Sequence, residues 1–600
     1  MKAARLYVMV AALGSAAIAC GSGGAGSRSS EGSDDGGSIG DGSVGSSSGG
    51  PDGGAASSDG STGHEDAGLH GDGGGTCPSP VTADPRASER AACMFTTGAK
   101  VDDTLGLSAA ARAAIPIENV IVMMKENRAF DHVLGQLHAT VPAVEAIPAG
   151  FTNPGTDGGT VAPFHQPSSC ISHDPDHQWA AMHTQVNDGG MNGFVESAAA
   201  STATDGLFAM SYYDATDLPF YYWLASTYPL NDRHFASARS GTYPNRNFLL
   251  LGTADGVQST GAGYPLATTP TIFDSLSTAG VTWGVYSDGS LLSGSLDWDT
   301  GHANTGSFAD FLSLVDAGTL PQVAFVDGID DVTDDHPTAN MQEGEAWSRT
   351  LYEHVTASKL WPHTAMIWTY DEGGGFFDHV PPPNQWCVAR PSDPPVGGDG
   401  LLDSEFHELG VRVPLVVISP YARQGYTSHV VQEHTAVTRF IETVFDLPAL
   451  TNRDANSDAL LDLFDFQCPP AFLSPPTPPA SGTGGCDGSL VLSVSSPNVP
   501  VGTSFQISFK GGPGNDPQDW IGIYTYTSSG PTPPAPSSLM WQFIGGSHTA
   551  STSPASGSVT IDSSAAGQQA WPLPVGSYIA YYLLNDGYTS VASIDFNVVQ

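Results

Sequence analysis

The stretch 117–135, IENVIVMMKENRAFDHVLG, constrains the fold more than any other part of the chain. Val120, Ile121, Val122, Met123 and Met124 form an unbroken apolar run, the pattern of a strand buried on both faces of a sheet. The run stops abruptly at Lys125, Glu126, Asn127 and Arg128, with Asp131 and His132 just beyond. Open α/β sheets bind ligands in the crevice at the C-terminal ends of their strands, so a polar cluster here marks a candidate site. Glu126 and Asn127 are expected to hold a metal ion.

The rest of the region 120–465 fits such a sheet. Apolar strands expected at 120–124, 281–286, 323–326, 365–369 and 415–418 alternate with amphipathic helices at 245–251, 272–278, 308–315, 346–360 and 435–445. That order predicts a layered α/β domain around a largely parallel sheet. Trp347, Leu351, Val355 and Leu360 recur near helical spacing and belong to the core. The segment 139–220 lacks this rhythm but is rich in His and Asp, as an insertion carrying substrate contacts would be.

The ends of the chain read differently. Lys2 and Arg5, the apolar run 6–19 and Cys20 make a bacterial export signal (1–20) too short to span a membrane, and AIAC resembles a lipoprotein cleavage box that would lipidate Cys20 as a membrane tether. Residues 21–76 are mostly Gly, Ser, Asp and Ala and predict a flexible tether, because they cannot bury enough surface to repay ordering. The α/β domain spans 77–468, a Pro/Gly-rich linker 469–486, and short alternating strands over 487–600 an all-β, immunoglobulin-like sandwich. Setting Cys20 aside leaves an even set of cysteines, which could pair locally as Cys77 with Cys93 and Cys468 with Cys486. None has zinc-ligand spacing.

Twenty Lys plus Arg against 62 Asp plus Glu give a net charge of −42. Nucleic acid and electrostatic docking on anionic lipid are excluded as partners, and the acidity reads as a solvated surface. Oligomeric state is not set by the sequence.

Further polar clusters punctuate the α/β domain. His173, Asp174, Asp176 and His177 lie in the irregular insertion; Asp232-Arg233 precede SARSGTYPNR; Asp334, Asp335 and His336 follow one apolar strand; Asp371, Glu372, Asp378 and His379 follow another. A parallel sheet gathers its strand ends, and burying that many carboxylates together without a cation would be prohibitively costly. One divalent metal resolves the conflict. Glu126, Asn127, Asp371 and Glu372 are oxygen donors and favour Ca²⁺, Mg²⁺ or Mn²⁺, while the nearby histidines keep Zn²⁺ open. Thr242 stands just before Pro244 and a helix, so its hydroxyl and the neighbouring amides would face a tetrahedral anion.

The succession ENRAFDH, SGTYPNR, DDHP, YDEGGGFFDHVPPP, GVRVPLVVISPYARQG and EHTAVTRFIE resembles the bacterial phosphoesterase family of phosphatidylcholine-type phospholipases C and related acid phosphatases, over about 117–465. The resemblance implies an alkaline-phosphatase-like α/β/α fold and metal-assisted hydrolysis of phosphate esters. By motif match Thr242 takes the nucleophile position and joins Glu126, Asn127, Asp371 and Glu372 around the metal; His336 falls in the phosphate-site motif. Gly373 stands where the family has His, and Ser240-Gly241 where it has Gly-Pro. His336 is the expected general acid, with His177 and His379 as alternatives; Arg233 and Arg246 would add donors, and Asp335, His173 and Asp174 would meet the substrate. The run Phe220, Tyr221, Tyr222, Trp223, with Phe208, Tyr212 and Tyr213, reads either as an apolar mouth that could cage a choline or as core. The substrate would be a phospholipid or, as an alternative, a small phosphomonoester; a tethered binding protein without catalysis is the alternative of another class.

Overall fold

A computed structural model describes residues 84–600 with Cys77, Ser79 and Val81, apart from 157, 167, 172, 202–205, 262–267, 290–303, 391–404, 483–490, 497, 511–516, 527–537, 551–555, 585–586 and 589. The expected export signal, Cys20, the tether and Cys486 lie outside the described residues. Eight strands form the main sheet: β1 (Asn119–Lys125), β2 (Leu230–Asn231), β3 (Trp283–Tyr286), β4 (Thr305–Gly306), β5 (Val323–Val326), β6 (Thr364–Tyr370), β7 (Leu415–Ile418) and β8 (Thr427–Ser428). Their order is β8-β2-β7-β6-β1-β5-β3-β4. β1 sits between parallel neighbours β5 and β6, and β3 and β4 continue the parallel run. Only the β6–β7 and β7–β2 pairs are antiparallel, so the sheet is mixed but parallel-rich.

All seven residues of β1 are buried because both faces of the sheet are covered. Ile121 and Met123 join one core with residues of helices α2 (Pro219–Thr227), α5 (Phe308–Ala317) and α6 (Met341–Ala357). Val120, Val122 and Met124 join another with α3 (Thr242–Leu251), α4 (Ile272–Ala279) and α7 (Thr435–Phe445). Each such side chain contributes about 1.5–3 kcal/mol by leaving water. Capping boxes start α4 at Thr271 and α5 at Ser307, and left-handed glycines end them. α6 begins one turn earlier than its apolar spacing indicated, because the Asn340 side chain accepts from the Gln342 amide. The insertion carries α1 (Trp179–Val186), whose Met182 and Val186 pack with Ala129, Phe376, Phe377 and Val411. It is thereby seated on the segments that follow β1 and β6.

Phe220, Tyr221 and Tyr222 are 1%, 0% and 5% exposed and belong to the first core, which decides for the core reading of these three over the apolar mouth. The local cysteine pairing is also corrected. Cys77 joins Cys468 and Cys93 joins Cys387, across 391 and 294 residues, and Cys170 is disulfide-bonded too. The reason is topological: the segment around 79–98 lies along the end of the domain, where the Ser79 amide donates to Asp465 and the Phe95 amide to Asn456. In the chain-entropy account, cross-links closing loops this long each contribute on the order of 5 kcal/mol.

The described part of the linker is not free chain. Phe472 is buried, Tyr352 donates to the Pro476 carbonyl, and the Gly482 amide donates to Glu345. Beyond it, the strands Val491–Val494, Phe505–Lys510 and Ser556–Ile561 form one sheet; Asn498–Pro500, Trp520–Thr525, Met540–Phe543, Gly576–Leu583 and Ser590–Val599 form a second. The two sheets share an apolar cluster that includes Ile507, Ile521, Val559 and Tyr582. Among the described residues no helix is long and apolar enough to cross a membrane.

Candidate active site

The pairing of β1 with β6 builds the site. Lys125 lies opposite Tyr370 at the last step of that ladder, so Glu126-Asn127 and Asp371-Glu372 emerge side by side. Asn127 turns back on a left-handed backbone (φ +57°), and the Asp371 carboxylate receives its amide at 3.2 Å and that of Glu372 at 2.8 Å. Gly374 closes the turn at φ +60°, and a Cβ there would lie 2.1 Å from the Asn127 carbonyl oxygen. Only glycine fits. Gly373 leaves similarly little room, since a Cβ would meet Val411 at 2.3 Å.

Thr242 opens α3 and points its hydroxyl at the same place. Its Oγ1 donates to Glu126 Oε2 at 3.2 Å, and the residue is 4% exposed. Arg246, one turn along α3, is fully buried among carboxylates: 2.6 Å from Glu126, 3.1 Å from Asp327 and 3.5 Å from Asp371. Asp327 was not anticipated, although it follows β5 as Glu126 follows β1, and that parallel was the available signal.

Three carboxylates, those of Glu126, Asp327 and Asp371, thus face one guanidinium, and Glu372 lies beside them against His177. Burial pushes Asp371 up to about 7 against the pull of Arg246. Burial, reinforced by the charge of Asp371, raises Glu126 well above the usual carboxylate range, and burial raises Glu372 in the same way. Asp371 Oδ2 is buried and accepts no hydrogen bond. One end of the Asn127 amide lies 2.6 Å from Glu372 Oε1 and 3.0 Å from Glu126 Oε2. With nitrogen there it donates to both and leaves Oδ1 to His336 Nε2 at 2.9 Å. With oxygen there, three oxygens converge, and its nitrogen faces His177 Nε2 at 3.3 Å and His336 Nε2 at 2.9 Å. The donor set therefore fits a divalent cation held by Glu126, Asn127, Asp371, Glu372 and Thr242.

Histidines line one side. His177 Nε2 is 3.6 Å from Glu372, and its Nδ1 hydrogen-bonds the Pro175 carbonyl at 2.7 Å. His336 Nε2 is 3.9 Å from Asp174, and its Nδ1 faces the Pro337 carbonyl. Donor atoms of Asp174, His177 and His336 all lie within 4.8 Å of one another, a second candidate metal-binding group beside the first. His173, next to Asp174, stacks on Phe208 at 5.1 Å.

Other residues are not brought into this pocket. Asp335 turns inward, fully buried, to the hydroxyls of Tyr221 and Tyr370, so it cannot meet a substrate. Arg233 pairs with Glu145, because its segment is tied to Gln432 through the backbone. Arg246 is committed to carboxylates. His379 hydrogen-bonds Asp131 at 2.6 Å in a separate buried cluster with Asp378 and Arg412.

The family model described as "Phosphoesterase family" matches residues 117–448. Non-specific phospholipase C1 of Arabidopsis thaliana is 32% identical over 375 residues, 57% of this chain and 69% of the relative. Phospholipase C A of Mycobacterium tuberculosis (strain ATCC 25618 / H37Rv) is 30% identical over 416 residues, 60% of this chain and 79% of the relative. Among solved structures, a protein in the alkaline phosphatase superfamily from Vibrio parahaemolyticus aligns over 55% of this chain and 77% of its own, at 10% identity and a TM-score of 0.26. That likeness is distant, and the assignment rests on sequence. With the motifs of 117–448 converging on one acidic pocket, the chain belongs to the phosphoesterase family and is a hydrolase acting on phosphoric ester bonds.

Proposed function

We propose that the protein is an extracytoplasmic, metal-dependent phospholipase C that cleaves phosphatidylcholine-like lipids through a threonine nucleophile. The observation that carries the reading is the Thr242 hydroxyl, held at the start of α3 and 3.2 Å from Glu126 in a pocket with Asp371 and Glu372. When bound, a divalent cation supplies Lewis-acid activation of the hydroxyl and charge for the phosphoryl oxygens.

The chain's own groups do the rest. Thr242 Oγ1 attacks phosphorus in line with the departing oxygen, and its proton passes to Glu126 Oε2, to which it already hydrogen-bonds. His336, with Nδ1 engaged by the Pro337 carbonyl, presents a protonated Nε2 to the leaving oxygen as that P–O bond breaks. Water then attacks the phosphothreonine, giving its proton to His336, while Oγ1 leaves with the proton held on Glu126. His177 orients Asn127 and Glu372 from the side. In the first turn of α3 the Tyr243 amide donates to Thr260 Oγ1 and Pro244 has no N–H, which leaves the Thr242 amide for the equatorial oxygens.

The names of the relatives, both phospholipases C, support a lipid substrate. A second reading, a phosphatase of small monoesters, is favoured by the burial of Phe220, Tyr221 and Tyr222, which takes these three out of any cage for a choline group. A tethered binding protein without catalysis would not need Thr242 beside an acidic pocket. The disulfides, and the export signal with Cys20, support a location outside the cytoplasm. The C-terminal sheets are read as an immunoglobulin-like accessory domain. Hydrolysis of phosphatidylcholine, nitrophenyl phosphate and nitrophenyl phosphocholine, each with and without chelator, tests the reading. Chelator-sensitive release of diacylglycerol supports it; monoester turnover alone supports the second reading, and no turnover refutes both.

A further inference from the structure

Asp334, Asp335 and His336 are consecutive, yet the middle side chain points the opposite way. Asp335 has a left-handed backbone (φ +76°) that turns its carboxylate below the site. Oδ2 accepts from Tyr221 at 2.9 Å and from Tyr370 at 2.7 Å; Oδ1 lies 3.5 Å from the Nζ of Lys125, which is itself fully buried. Lys125 and Tyr370 are the last residues of β1 and β6, immediately before Glu126 and Asp371. The same seat is cut into α6. A Cβ on Gly344 would lie 1.7 Å from Asp335 Oδ1, so the helix gives up a side chain in its interior, where glycine is unfavourable, to admit this carboxylate.

The backbone of the same turn is fastened to the site. The Asp335 carbonyl accepts from Arg128 Nε at 2.8 Å, the Asp334 carbonyl accepts from the Glu126 amide at 2.9 Å, and the His336 amide donates to Asp334 Oδ1 at 3.1 Å. Lys125 Nζ also donates to the Thr333 carbonyl. His336 is thus the first residue beyond a buried anchor; its Nδ1 meets Asp331 and the Pro337 carbonyl, and its Nε2 lies 2.9 Å from the Asn127 amide and 3.9 Å from Asp174.

We infer that Asp335 is a positioning residue: seated in the Gly344 notch against Lys125, Tyr221 and Tyr370, it fixes the turn that aims His336 Nε2 at the leaving oxygen. The inference rests on the general-acid reading of His336. It assigns Asp335 no contact with substrate.

The test uses the full-length protein and two phosphocholine diesters, one releasing nitrophenol and one a primary alcohol. Loss of a general acid slows the alcohol ester far more, because only that leaving group needs the proton. Asp335→Asn is expected to lower kcat on the alcohol ester on the order of 10²-fold, while changing the nitrophenyl rate less than about threefold and KM less than about twofold. Added to His336→Ala, it should cost nothing more, since both act through one imidazole. Gly344→Ala fills the notch without removing a titratable group and should give the same selective loss; with Tyr370→Phe it serves if Asp335→Asn does not fold. Equal losses on both esters, or losses that add to those of His336→Ala, overturn the inference. If His336→Ala itself shows no preference between the esters, the general-acid reading falls separately. Positioning is then decided by the His336 imidazole NMR signal: displacement in Asp335→Asn supports it, and an unmoved signal overturns it.

Discussion

Two buried clusters in this molecule set an arginine among carboxylates, and they are not alike. Around Arg412, every carboxylate oxygen is satisfied. Asp131 Oδ1 accepts from Arg412 and Oδ2 from His379; both oxygens of Asp378 accept from Arg412. Burial alone would lower the pKa of His379, but the hydrogen bond and charge of Asp131 raise it, so two acids meet two cationic groups. Around Arg246, three acids meet one cation and an oxygen of Asp371 is left without a donor. The first cluster balances its carboxylates, with His379 Nε2 buried and without a hydrogen bond; the second is short of positive charge beside the Thr242 hydroxyl. Charge balance, more than composition, separates the structural cluster from the functional one.

Substitution should break the two differently. Thr242→Ala is expected to lower kcat by at least roughly 10⁴-fold, as loss of a nucleophile does, with no change in thermal unfolding. Near-normal turnover by that variant would refute its role. Asp131→Ala is expected to act on stability instead, removing about 3–5 kcal/mol in denaturant unfolding because Arg412 loses a buried partner. Activity per folded molecule should then change little.

Smaller, but diagnostic, is the response to pH. Asp371 is pushed up to about 7 by burial, so the folded metal-free protein holds a proton that the unfolded chain releases near its ordinary 3.8. The sign follows: this stabilisation is complete below the unfolded value and is lost as pH rises through about 7. A cation must displace such protons, so its affinity should rise with pH over that window, by up to about tenfold per unit, and level off above it. Thermal shifts with Mn²⁺ at about pH 5 and about pH 8 measure this. Equal shifts at both would place the ion elsewhere.

Much of this was legible in the chain. The central strands and α7 announced themselves because a strand covered on both faces must be apolar throughout, as 120–124 is, and because α7 keeps helical spacing. The two-residue strands β2, β4 and β8, at or next to the sheet edges, carry no such run. Glu126 and Asp371 could be paired from sequence since strand ends converge. What sequence could not supply was direction: Asp335 and His336 are neighbours, and only a left-handed turn sends them apart. His379 looked like a site histidine for the same reason, and its partner Asp131 is 248 residues away. Tyr221 could be read as mouth or as core, and its hydroxyl bond to buried Asp335 places it in the core. Disulfides joining the start of the domain to its far end follow from the path of the chain, which no local spacing encodes.

The most direct test of the charge-deficient pocket is metal content by elemental analysis of the purified protein and two variants. About one divalent ion per chain is expected in the unaltered protein and in Asp131→Asn, and loss of that ion together with activity in Asp371→Asn. Full activity in protein stripped of metal, or an ion retained undiminished by Asp371→Asn, would contradict it.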